Sequence, residues 1–117
     1  MSEALSFGQL RVVNVSRCEE VFHEIDAWTP TDWATAFAGE AGEACNKVKK
    51  LRRLDGADAI LDCQEKREAL TMEIALELAD TVIYADLLAA RLGIDLGEAV
   101  RQKFNFVSNQ RGSTHFL

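Results

Sequence analysis

The chain carries a single proline, Pro30, in the stretch Thr29-Pro30-Thr31-Asp32, and that residue narrows the range of folds sharply. Proline fixes φ and has no N–H, so a helix accepts it in its first turn and rejects it further in. With Thr29 as N-cap and Asp32 in the first turn, the stretch predicts a helix from Pro30 to about Arg53. Elsewhere apolar residues recur at spacings of three and four, with little β-branched alternation, which predicts helices.

Three more helices follow from the same signals. Ser6 and Gln9 have the spacing of a capping box and open a helix running to about Ala27, with Leu10, Val13, Val21, Phe22 and Ile25 as its apolar positions. An irregular start up to Asn14 is the alternative. A long helix spans about Gln64 to Leu92 and is closed by Gly93. The last runs from Leu96 to about Asn109, opened by Asp95 and Glu98 and ended by Gly112. The stretch between helices two and three, "LDGADAILDCQ", reads as a loop broken at Gly56, with a short turn of helix within it as the alternative. These elements predict an all-α, four-helix-type bundle in one domain spanning residues 1–117, with loose ends at about 1–5 and 113–117. A domain of this size buries a modest core and gains from oligomerisation.

The net charge of −6 argues against binding a nucleic-acid polymer, which calls for a basic face. Three cysteines, Cys18, Cys45 and Cys63, form no C-x-x-C, so a disulfide framework or structural zinc is not expected. The absence of a long apolar run or signal peptide leads to the expectation of a cytoplasmic protein without a membrane partner.

The second helix sets acids where core residues belong, in "GEAGEACNKVKK". Positions three or four apart share a helix face, so Glu40 and Glu43 lie side by side. Lys47 and Lys50 follow on the same stripe. The third helix repeats the spacing in "ELAD", with Glu77 and Asp80, Glu73 a turn earlier and Tyr84 a turn later. Two facing helices bring four carboxylates together, which would repel and raise one another's pKa. An all-oxygen donor set favours a hard cation, Mg²⁺ or Mn²⁺, which in turn takes phosphate oxygens as further ligands. The competing reading is two solvated faces. Against it, "IALELADTVIYADLLAARLG" is apolar nearly all round and leaves Glu77 and Asp80 no cheap route to solvent. Gly39, Ala41, Gly42 and Ala44 read as the small residues that let helices, metal and ligand approach. Asp86 falls off this stripe and reads as structural or exposed.

The segments "W…GEAGEACNKVKKLRR", "ELADTVIYADLLAARLGIDL" and "KFNFVSNQRG" together resemble the MazG-like, all-α nucleoside triphosphate pyrophosphohydrolases. The resemblance runs from "FGQLRVVNVSR" to Gly112. It implies Mg²⁺-dependent hydrolysis of a nucleoside triphosphate to the monophosphate and pyrophosphate, by a homodimer or a dimer of dimers. The family's metal ligands fall on Glu40, Glu43, Glu77 and Asp80, with Glu40 or Glu43 positioning the attacking water. Lys47 and Lys50 are the nearest phosphate contacts by helix geometry. The resemblance adds Lys103, Asn105, Ser108 and Arg111 from the last helix, supplied in trans. Trp33 and Trp28 are candidates for stacking on the base, with Asn46 as its hydrogen-bonding partner; Trp33 equally reads as core. Asn14 and Arg17 resemble a family pattern on the first helix.

Two other classes fit parts of the pattern. A carboxylate-bridged di-iron bundle needs Glu-x-x-His twice, and neither His23 nor His115 stands in that position. A non-catalytic helical dimer that binds nucleotide or protein would share the fold without turnover.

Overall fold

A computed structural model describes residues 3–55 and 62–117. Among them are four α-helices and one 3-10 turn, with no strand: α1 Phe7–Val21, the turn Ile25–Ala27, α2 Pro30–Asp55, α3 Asp62–Arg91 and α4 Leu96–Arg111. The all-α expectation holds. No helix among these residues is long and apolar enough to cross a membrane. Most of the expected loop, Gly56 included, lies outside the described residues, and its two ends belong to α2 and α3.

The capped starts of α1 and α4 and the glycine-closed ends of α3 and α4 follow the sequence signals. Ser6 Oγ accepts a hydrogen bond from Gln9 N at 3.0 Å, and Asp95 Oδ1 accepts from Glu98 N at 3.0 Å. Gly93 and Gly112 adopt left-handed conformations with φ of 69° and 68°. Each lets the next residue turn back on its helix: Ile94 N donates to Ala89 O at 2.8 Å and Ser113 N to Ser108 O at 2.9 Å.

The first helix departs from expectation. It ends at Val21, where Phe22 N and His23 N both donate to Cys18 O, and Glu24 is extended before the 3-10 turn. Val13, Val21 and Phe22 are largely exposed, while the buried positions of α1 are Asn14 and Cys18. The inward stripe is therefore one turn of mixed polarity, which apolar spacing alone does not reveal.

Two compact units emerge: Met1–Pro30 with Asp86–Leu117, and Thr31–Ala85. In the first, α1 meets the end of α3 through a buried polar cluster. Asp86, 1 % exposed, accepts from Arg11 Nε at 2.9 Å and from Asn14 Nδ2 at 3.1 Å. Arg11 Nη2 also donates to Ile94 O at 2.8 Å, tying α1 to the turn before α4. Asp86 is thus structural, and Asn14 serves it, while Arg17 is exposed. Arg91 Nε donates to Trp28 O at 2.9 Å, and the Trp28 ring lies 4.5 Å from that of His23.

The second unit is a helical hairpin. Partners run in opposite order along α2 and α3: Trp33 packs near Tyr84, with ring centroids 6.3 Å apart, and Lys47 pairs with Glu77 further along. Few apolar side chains close the hairpin. Met72 and Leu76 are 72 % and 69 % exposed, and Leu78, Val82 and Val48 also face outward. The apolar character of α3 therefore exceeds what this chain by itself buries.

Candidate functional site

The hairpin brings three of the four expected acids together. Carboxylate oxygens of Glu40, Glu43 and Glu77 all lie within 4.8 Å of one another. The three-residue spacing puts Glu40 and Glu43 on one face of α2, and the antiparallel pairing sets Glu77 of α3 opposite them. Asp80 stands outside this group and is exposed, yet its charge reaches Glu40. The inference that the apolar sequence around it denies Asp80 solvent is overturned: a two-helix unit leaves much of α3 open to water.

The electrostatics of the cluster are uneven. Burial, followed by the charges of Glu43, Asp80 and Glu77, raises the pKa of Glu40 above its ordinary 4.5. Glu77 is held below the ordinary carboxyl range, first by the hydrogen bond from Lys47. The same contact raises Lys47. Lys47 Nζ sits 2.9 Å from Glu77 Oε1, and the Glu77 side chain is only 14 % exposed. Its other oxygen, Oε2, is buried and meets no hydrogen-bond donor among the described residues. A carboxylate oxygen without a donor is costly to bury, so the cluster is incompletely neutralised by this chain's own groups.

These shifts fix a pH prediction for the metal-free protein. A carboxyl whose folded pKa is raised stabilises the fold below its unfolded value and loses that contribution as pH rises through the folded one. In EDTA, Glu40→Gln should match the parent's stability at about pH 3, well below the ordinary 4.5, where Glu40 is protonated in both states. It should exceed the parent at pH 7. Urea midpoints at the two pH values test this, and equal midpoints at pH 7 would show that Glu40 feels no net repulsion.

The remaining expected contacts divide. Lys50 and Asn46 are exposed on α2. Trp33 is 1 % exposed and belongs to the core, so it presents no ring face to a base; its position in the first turn of α2 did not separate these roles. A Cβ placed on Gly39 or Gly42 would meet nothing within 4 Å, so helix packing within the chain does not require glycine there. Ala44, by contrast, is buried.

On α4, Lys103, Ser108 and Arg111 line one open cavity of about 630 Å³ with Leu96, Val100, Phe104 and Val107. Lys103 Nζ also lies 5.4 Å from the centre of the Phe106 ring. Ser108 is buried. Asn105 turns elsewhere, to the main chain of Leu117. Arg11 is the polar anchor that the sequence reading passed over. Its signal was the Arg11/Asn14 pair at helical spacing, matched to a lone acid in the apolar run around Asp86.

No family model, curated protein or solved structure matches this chain. The likeness to the MazG-like enzymes therefore rests on the sequence motifs alone.

Proposed function

We propose that the chain is a MazG-like, Mg²⁺-dependent nucleoside triphosphate pyrophosphohydrolase with Glu40, Glu43 and Glu77 as its cation-binding core. The observation that carries this reading is the buried, donorless Oε2 of Glu77 beside two further carboxylates. The donor set fits a hard divalent cation: oxygens only, from residues on two helices, with Asp80 near enough to act on Glu40. When bound, Mg²⁺ supplies charge neutralisation for phosphate oxygens and a water of lowered pKa.

The chain's own residues supply the rest. Glu40 or Glu43, side by side on one face of α2, is suited to orient the attacking water. Lys47 lies 2.9 Å from Glu77 Oε1, beside the acids, where its ammonium would face phosphate oxygens, and Lys50 extends that positive stripe. Lys103 and Arg111, with Ser108 between them, serve as phosphate contacts contributed by a second copy. Support for a second copy comes from the exposed apolar residues Met72, Leu76 and Val82 on α3 and Phe104 on α4.

The test is pyrophosphate release from a panel of ribo- and deoxyribonucleoside triphosphates, with Mg²⁺ and with EDTA. Metal-dependent release of pyrophosphate and the monophosphate is expected. A folded protein that binds nucleotide without turnover would make it a binding module instead. Sedimentation velocity should give a mass of at least two chains; a monomer at micromolar concentration would remove the trans contribution from α4.

A further inference from the structure

We infer that the segment 113–117 is a reversible latch that holds Asn105 away from ligand, an inference resting on the proposed nucleotide site. A loose tail is the expectation for these residues; in the structure Leu117 returns to Asn105. Asn105 Oδ1 accepts from Leu117 N at 2.9 Å, and Asn105 Nδ2 donates to Leu117 O at 3.2 Å. Both hydrogen-bonding functions of the amide are thus spent on one residue's main chain, a two-point match of the kind an asparagine otherwise offers a base or a ligand amide.

The path back to Asn105 is built rather than accidental. Gly112 turns the chain in the left-handed conformation, and Ser113 N closes the end of α4 on Ser108 O. Ser113 Oγ then accepts from His115 N at 3.0 Å, folding the segment toward the helix it has just left. Ser113 also lines the cavity shared by Lys103, Ser108 and Arg111. The latch and the proposed phosphate contacts therefore adjoin on α4.

The latch contacts are exposed, which makes them marginal in strength and easy to exchange for ligand contacts. A latch closed about nine-tenths of the time weakens apparent binding about tenfold, because only the open fraction is competent.

The experiment compares the full chain with a chain stopped after Thr114, which keeps the Gly112–Ser113 helix end, and with Ser113→Ala, which keeps Asn105 and every backbone group. The probes are the α,β-methylene analogues of the four deoxynucleoside triphosphates with Mg²⁺. Calorimetry should give an affinity about tenfold tighter for the shortened chain, with Ser113→Ala in between. In the full chain, NMR should show the Leu117 amide protected from exchange without analogue and unprotected with it. Equal affinities together with an unchanged Leu117 amide would overturn the latch while leaving the nucleotide reading intact. Weaker binding by the shortened chain would overturn it too, making the segment part of the site. No binding by any of the three proteins would overturn the nucleotide reading and the latch with it.

Discussion

Glu77→Gln should lower Mg²⁺-dependent pyrophosphate release by about 100-fold or more while leaving helix content unchanged. The substitution keeps side-chain size and an oxygen facing Lys47, whose Nζ lies 2.9 Å from Glu77 Oε1. It removes the negative charge from a carboxylate with one buried, donorless oxygen, the feature that most calls for a cation. It also places an amide N–H₂ beside Glu40 and Glu43, whose oxygens share the same 4.8 Å cluster. Because Lys47 holds Glu77 below the ordinary carboxyl range, the Glu77 charge contributes to the metal-free fold, and the metal-free variant should be somewhat less stable than its parent near pH 7. A second readout separates lost binding from lost chemistry. Mg²⁺ raises the melting temperature of a protein that binds it only when folded, and that rise should vanish in Glu77→Gln. Lys47→Met should also lower metal-free stability, by leaving Glu77 without its counter-ion, while enlarging the rise with Mg²⁺. If Glu77→Gln keeps both the rate and the rise, Glu77 is not a cation ligand.

How far the sequence foretold this depends on whether the signal was local. Helix ends were legible because caps are local: Ser6, Pro30, Asp95, Gly93 and Gly112 all act where their side-chain chemistry says they should. The Glu40/Glu43 pair and its meeting with Glu77 were legible because two three-residue spacings on antiparallel helices leave few other arrangements. Burial was less so. Apolar spacing marked Val13, Val21 and Phe22 for the core, yet they are exposed, because spacing reports which residues can be buried and not whether a partner surface exists. Asp80 failed for the same reason. Trp33 was ambiguous, since a large aromatic in a first turn serves a core and a stacking site equally well. The Asn105–Leu117 contact had no signal at all: it depends on the path of five residues after a glycine turn.

Asp86→Ala should cost roughly 3–5 kcal/mol. The side chain is 1 % exposed and joins two partners on α1, Arg11 at 2.9 Å and Asn14 at 3.1 Å. Removing it leaves the Arg11 guanidinium with the Ile94 carbonyl and takes one acceptor from the buried Asn14 amide. Arg11 keeps 27 % of its side chain in solvent, so part of its charge is rehydrated and the lower end of the range is the better estimate. Against a total stability of about 5–15 kcal/mol for an ordinary domain, this is enough to unfold a marginal protein. Asp86→Asn keeps an acceptor but loses the charge, and should cost about 1–2 kcal/mol. The joint replacement Arg11→Met with Asp86→Leu should recover most of the loss, since apolar side chains of similar volume replace a buried ion pair at little cost. Urea unfolding followed by far-UV circular dichroism, at one protein concentration throughout, measures all three. A cost under about 1 kcal/mol for Asp86→Ala would mean that water already serves the cluster. Asp86→Asn also separates a structural from a ligand-binding role: while folded, it should hydrolyse nucleotide at the parent's rate, because Asp86 anchors α1 and lies outside the acid cluster on α2 and α3.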